Sequence, residues 1–238
     1  MSATLRHGLA ALLALLALVL LAGCTAAPPP KPPLQVPATV SSTDWERDMQ
    51  RFAAEDAANP PPKGAVLFVG SSSIRMWATL AQDFPGIAVV NRGFGGSEIR
   101  DSTWYADRIV VPYAPRTIVF YAGENDINSG RSPQQVLGDF RAFVERVRRD
   151  LPRVRIVLVS IKPSPLRAAQ LPAQREANAL LREEIARTRN AAFVDVATPM
   201  LGADGQPRAE LFIEDRLHMN HAGYDIWRGL IAPLLQPR

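Results

Sequence analysis

Five short apolar runs, each ending in a residue suited to a turn, constrain this chain more than anything else in its sequence. They are Ala65–Gly70, Ile87–Asn91, Arg116–Ala122, Arg155–Ser160 and Ala192–Val196. Unbroken rather than alternating apolarity marks strands buried on both faces. The segments between them have helical spacing. Val136, Phe140, Phe143, Val144 and Val147 form one apolar face, with Arg141, Arg148 and Arg149 opposite. Ala173–Thr188 is rich in Ala, Leu, Glu and Arg, which are good helix formers. Tyr224–Leu235 carries Ile226, Trp227, Leu230 and Ile231 and would close the fold. Asp44–Ala58 would open it, capped by Thr43 or Asp44. Strands alternating with helices predict an α/β fold with a doubly wound, five-stranded parallel sheet. Ligands of such sheets bind beyond the carboxyl ends of the strands. The loops after Gly70, Asn91, Ala122, Ser160 and Val196 are therefore the places to look for chemistry.

The N-terminal stretch reads as an address. Leu9–Ala22 is an unbroken apolar run preceded by Arg6 and His7. It falls short of the ~18 apolar residues of a relaxed membrane span and fits the core of a signal peptide. It closes in Leu21-Ala22-Gly23-Cys24, which resembles a bacterial lipobox. Cys24 is the only cysteine of the 238 residues, so no intramolecular disulfide is possible. The expectation is a signal peptide over 1–23 and a lipidated Cys24 opening a Pro-rich tether over 24–40. A folded domain over 41–238 follows, placed in the bacterial cell envelope. The alternative is an ordinary secretory signal with an incidental cysteine. A dozen tether residues in extended polyproline II would span roughly 35–40 Å. The formal charge of +4 comes from 27 basic and 23 acidic residues that are interspersed. That pattern does not call for a nucleic acid partner and suits a domain near an anionic surface.

Three of the predicted strand-end loops, and one segment before the last helix, carry reactive side chains. Gly70-Ser71-Ser72-Ser73 follows the first strand, and Asn91-Arg92-Gly93-Phe94-Gly95-Gly96-Ser97 the second. Gly123-Glu124-Asn125-Asp126 follows the third, and Asp215-Arg216-Leu217-His218 precedes the last helix. A hydroxyl, a glycine-rich loop, a carboxamide and an Asp/His pair are the parts of acyl transfer. A serine needs a base such as neutral His, and the His needs an orienting carboxylate. A developing oxyanion needs fixed donors, which a glycine N–H and an asparagine NH₂ can supply. Each signal also has a plain reading. The serines can be a helix N-cap cluster, the glycines a tight turn, and Asn125 and Asp126 a cap. Asp215 and His218 can be a surface ion pair, or with His221 a metal site. No H-e-x-x-H pattern supports a metal, and His221 reads as structural, starting the last helix beside Asn220.

Taken together and in order, these blocks resemble the SGNH hydrolases, also called the GDSL esterase/lipase family. Gly70-Ser71-Ser72-Ser73 is similar to the Gly-Asp-Ser-Leu block and selects Ser72 among the three serines. Gly96 matches the second block, and Gly123-Glu124-Asn125-Asp126 matches Gly-x-Asn-Asp. Asp215 and His218 match Asp-x-x-His, followed by Asn-x-x-Gly-Tyr at Asn220–Tyr224. The likeness runs from about Ala65 to Ile231. It implies a three-layer α/β/α sandwich of flavodoxin-like type, no cofactor, no metal, and ester hydrolysis through an acyl-enzyme. In it Ser72 would be the nucleophile, His218 the base and Asp215 its orienting group. The N–H groups of Ser72 and Gly96 and the side chain of Asn125 would hold the oxyanion. Ser71 and Ser97 stand where the family often has Asp, which removes negative charge from the expected rim. The G-x-S-x-G elbow of the α/β-hydrolases is missing from this sequence.

The substrate is less marked. Lys162–Pro172, with three prolines, should overhang the site. Trp77, Phe94, Trp104 and Tyr105 are candidates either for an acyl or sugar pocket or for the core. Arg75 and Arg92 are candidates either to meet an anionic substrate or to form a solvated rim. The lack of a long apolar flap in the sequence favours a small acyl ester or an O-acetylated carbohydrate. Competing readings are a catalytically idle polysaccharide-binding lipoprotein of the same fold and a cell-wall O-acetyl esterase or acetyltransferase.

Overall fold

The computed structural model describes residues 40–42 and 44–236. The expected signal peptide, Cys24, the tether up to residue 39 and the Thr43 cap lie outside the described residues. Helix α1 spans Trp45–Ala58, and strand β1 spans Val66–Gly70. Two single-turn helices follow, α2 (Ser72–Arg75) and α3 (Leu80–Asp83), before strand β2 (Val89–Gly93). Helices α4 (Ile99–Trp104) and α5 (Ala106–Ile109) lead to strand β3 (Thr117–Tyr121). Then come α6 (Glu124–Asn128), α7 (Pro133–Asp150), β4 (Arg155–Val159), α8 (Leu171–Arg187), β5 (Ala191–Val194) and α9 (His221–Leu235).

The five strands pair in parallel in the order β2-β1-β3-β4-β5. The strand alternation puts one set of side chains on each face. Leu67, Val69, Ile118, Phe120, Ile156 and Leu158 meet α1, α4, α5, α7 and α8. Val66, Phe68, Val119, Tyr121, Val157 and Val159 meet α2, α3 and α9. Every residue of the inner strands β1 and β3 is buried, as are four of the five of β4, which explains their unbroken apolar sequences. This is the expected three-layer, flavodoxin-like α/β/α sandwich. The order reverses between β1 and β3, so the crevice for a ligand lies between the loops that follow those strands.

Some boundaries differ from expectation for identifiable reasons. The second strand was expected at Ile87–Asn91 but runs from Val89 to Gly93. Ile87 is held in a turn by its N–H bond to the Phe84 carbonyl. Pairing continues past Val90 because the polar side chains there have partners: Asn91 Nδ2 donates to the Ile74 carbonyl at 2.7 Å, and Arg92 Nε to the Tyr113 hydroxyl at 2.7 Å. The fifth strand ends at Val194 rather than Val196, because Asp195 turns out to accept the Thr198 N–H at 3.0 Å. Helix α8 begins at Leu171 rather than Ala173, since Pro172 is tolerated in the first turn, where its missing N–H costs nothing. Asp44 occupies the cap position of α1 but caps nothing with its side chain, and its own N–H donates to Ser42 Oγ at 3.0 Å. Helix α9 starts at His221, with Asn220 accepting the Gly223 N–H at 3.3 Å.

Candidate active site

Ser72 is the first residue of α2, directly beyond the end of β1. Gly70 bends the chain there: its φ is +140° and the following Ser71 N–H donates to the Tyr121 carbonyl of β3 at 3.0 Å. The His-bearing segment arrives from the far end of the sequence. Ile213 N–H donates to the His218 carbonyl at 2.9 Å, closing residues 213–218 into a compact turn. Its position over α2 is fixed from below, where the Tyr224 hydroxyl of α9 donates to the Ser73 carbonyl at 3.0 Å. The result brings Ser72 and His218 together across 146 positions of sequence, with His218 Nε2 at 2.9 Å from Ser72 Oγ.

Asp215 holds the other side of the ring. Its Oδ2 is 2.5 Å from His218 Nδ1, and its Oδ1 accepts the N–H groups of Leu217 and His218, each at 2.9 Å. Burial alone would raise this carboxyl; the His218 ring and those two N–H groups outweigh it and hold Asp215 at about 2. With Nδ1–H donated to this carboxylate, Nε2 is the lone-pair nitrogen that faces the Ser72 hydroxyl.

Gly96 and Asn125 complete the group. Gly96 lies in the loop after β2 with φ +82°, under the ring of Trp45. Asn125 lies in the first turn of α6, after β3. Its Nδ2 donates to the Ser97 carbonyl at 3.0 Å and its Oδ1 accepts from Arg167 at 3.0 Å. Neither the Ser72 N–H nor the Gly96 N–H finds an acceptor among the described residues. The structure thus joins Ser72, His218 and Asp215 by direct contacts and holds Asn125 against the carbonyl of Ser97, the neighbour of Gly96.

Other expectations change. Ser71 and Ser97 are buried, so the missing carboxylates would have stood inside the fold and not on its rim. Ser97 Oγ donates to the Phe94 carbonyl at 2.9 Å. Arg92 is also buried: it pairs with Asp56 and lies over the Phe52 and Tyr113 rings, and is no solvated rim. Arg75 is exposed beside Gly95. Trp77, Phe94 and Tyr105 belong to the core, whereas Trp104 is exposed. His221 pairs with Asp225 of its own helix at 3.0 Å, turned to structural use.

Sequence reasoning missed a buried ionic cluster behind Asn125. Glu124 Oε2 accepts from Lys162 Nζ at 2.8 Å and from the Tyr121 hydroxyl at 2.9 Å, and Oε1 accepts from Ser164 Oγ at 2.9 Å. Lys162, expected on an overhanging loop, is fully buried. Burial pulls its ammonium below the ordinary lysine range against the opposing pull of Glu124. Burial would raise Glu124, but Lys162 and Arg167 hold it below the usual carboxylate range, so it is the charged centre of the cluster. The one signal available was the concentration of Lys162, Ser164 and Arg167 in a single strand-end loop.

Comparison with known proteins identifies the family. Residues 69–226, more than half of the chain, match the model of the GDSL-like lipase/acylhydrolase family. The chain is 27% identical over 206 residues to human platelet-activating factor acetylhydrolase IB subunit alpha1, covering 81% of this chain and 83% of that protein. Among solved structures, a GDSL-like lipase from Bacteroides thetaiotaomicron superimposes with a TM-score of 0.66 at 24% identity, over 79% of this chain and 96% of that one. A carbohydrate esterase family 3 protein from Talaromyces cellulolyticus superimposes with a TM-score of 0.57 at 17% identity, over 72% and 95%.

Proposed function

Because the chain belongs to the GDSL-like lipase/acylhydrolase family and is an esterase-type acylhydrolase, we propose that it hydrolyses esters of short acyl groups through an acyl-enzyme on Ser72. His218 Nε2 takes the Ser72 proton as Oγ attacks the ester carbonyl. Asp215 stabilises the imidazolium that forms. The carbonyl oxygen becomes an oxyanion facing the N–H groups of Ser72 and Gly96 and the second N–H of Asn125. His218 then gives the proton to the leaving alkoxide as the carbonyl re-forms. Water repeats the sequence on the acyl-enzyme, releasing the acid and restoring Ser72.

The observation that carries this reading is the unbroken line Ser72 Oγ, His218, Asp215, with contacts of 2.9 and 2.5 Å. The name of the human relative, an acetylhydrolase, supports a short acyl group. The fungal neighbour, a carbohydrate esterase, adds esterified carbohydrate as a candidate substrate. The test is a series of p-nitrophenyl esters of increasing acyl length, with acetylated xylan and peptidoglycan fragments, run on wild type and Ser72→Ala. Turnover should be greatest at acetyl to butyryl and vanish in Ser72→Ala, and a fluorophosphonate should label only the wild type. A wild type inert toward every short acyl ester, and unlabelled, ends the proposal in favour of an idle binding protein.

In the same reading Cys24 carries a lipid that anchors the chain to a bacterial envelope membrane, with the Pro-rich segment as spacer. Metabolic labelling with a fatty acid should mark the wild type and not Cys24→Ser. Equal labelling of both would remove the anchor from the proposal.

A further inference from the structure

Asn125 has one amide to spend on three neighbours. Its Nδ2 gives one hydrogen to the Ser97 carbonyl, and its Oδ1 takes one from the Arg167 guanidinium, each at 3.0 Å. The second Nδ2 hydrogen is left for the crevice. Were the amide turned over, its oxygen would face the Ser97 carbonyl and its NH₂ would face the guanidinium. Both contacts would then be repulsive, so the two partners together fix the orientation.

Arg167 is itself built in. Its side chain is only 12% exposed, and its guanidinium also lies 3.6 Å from Glu124 Oε1. One nitrogen, Nη1, makes both contacts, so the cation bridges the carboxamide and the adjacent carboxylate. The backbone that carries it is tied on both sides: Arg167 N–H donates to the Ser164 carbonyl at 3.1 Å, and Leu166 N–H to the Arg216 carbonyl, inside the His218 turn, at 3.0 Å. Ser164 in turn binds Glu124 through its hydroxyl.

We infer that Arg167 is a positioning residue for the hydrolytic reaction: it clamps and polarises the Asn125 carboxamide so that the free N–H meets the developing oxyanion. This rests on the esterase reading above. Arg167 does not touch the reacting atoms; it acts through Asn125. A cation on the amide oxygen draws electron density from nitrogen and makes the remaining N–H a stronger donor. The benefit is realised where charge develops, and so should be seen in kcat more than in KM.

The test is a double-mutant cycle on p-nitrophenyl acetate with wild type, Arg167→Met, Asn125→Ala and the double variant. Arg167→Met should lower kcat about tenfold to a hundredfold, less than the ~10²–10³ expected for loss of the donor itself in Asn125→Ala. KM should move by no more than about twofold. In the Asn125→Ala background the same Arg167→Met change should cost less than about twofold, because nothing is left to orient. Arg167→Lys, which keeps charge and one donor, should recover part of kcat, and it replaces Arg167→Met in the cycle if that variant does not fold. Equal losses in both backgrounds, a loss in KM alone, or no loss would overturn the role of Arg167. A wild type without turnover would remove the esterase reading and this role together.

Discussion

The ammonium of Lys162 lies 2.8 Å from the carbonyl oxygen of Leu217 and, at the same distance, from the carboxylate of Glu124. Leu217 precedes His218 and Glu124 precedes Asn125, so one buried cation ties the base-bearing turn to the helix that carries the carboxamide. Removing one partner of a buried pair leaves the other charged and underserved, at a cost of about 3–5 kcal/mol. Lys162→Met should lose that much in guanidinium unfolding, and the Lys162→Met/Glu124→Gln double variant should lose less than the sum of the single losses. A loss below about 1 kcal/mol in Lys162→Met would show that the pair is not holding the loops together.

Asp126 gives the protein a stability that depends on pH. It is fully buried, its Oδ1 accepts the Ile99 N–H at 3.0 Å, and its Oδ2 has no partner among the described residues. Burial, with smaller contributions from Glu98 and Asp139, pushes the carboxyl up to about 7. The folded state therefore binds the proton more tightly than the unfolded chain, whose Asp titrates near ~3.9. The contribution is fully present below about pH 4 and is lost as pH rises through about 7, on the order of 2–4 kcal/mol in all. Asp126→Asn stays neutral and should flatten the stability profile between pH 4 and 8. Parallel profiles for the two proteins, measured by urea unfolding, would contradict this.

The contrast between Asp126 or Lys162 and Ser72 shows what the sequence made legible. Unbroken apolar runs identified the strands, and the strand ends located Ser72, Gly96 and Asn125, because a parallel sheet places its loops at one edge. The serine itself came from resemblance, since Ser71, Ser72 and Ser73 are chemically alike until α2 turns one of them toward His218. Burial of charge was not legible. Glu124 meets Lys162 from 38 positions away, and Arg92 meets Asp56 from 36. A single sequence does not say which of 50 charged residues find such partners. The second strand shows the same limit: its apolar run stops at Val90, while its ladder continues through Asn91 and Arg92 because both side chains are satisfied inside.

Asp215 behaves in the opposite sense to Asp126. Its three hydrogen bonds hold it at about 2, below the unfolded value. What it contributes to stability is present above about pH 4 and lost as pH falls through about 2. The difference in stability between wild type and Asp215→Asn should thus shrink as pH falls below about 4. Activity should fall far more than stability, on the order of 10²–10⁴ in kcat, because an amide cannot hold the imidazolium. An Asp215→Asn enzyme within tenfold of wild type on p-nitrophenyl acetate would show that another group orients His218.

Gly96 and Gly70 both require glycine, but their replacement should fail differently. At Gly96 the φ of +82° costs an alanine roughly 1–2 kcal/mol. Its Cβ would lie 3.1 Å from the Trp45 ring, which can yield by a few tenths of an ångström. Gly96→Ala should therefore fold with a modestly lowered Tm, while the displaced N–H lowers kcat by about 10² with little change in KM. At Gly70 the added Cβ would stand 1.7 Å from the Tyr121 carbonyl oxygen, in the ladder between the two central strands. Backbone cannot step aside there without breaking the sheet, so Gly70→Ala should yield no folded protein. Circular dichroism melts of the two variants decide the matter. A cooperative, near-native melt for Gly70→Ala, or full activity in Gly96→Ala, would mean that the two loops are looser than this geometry requires.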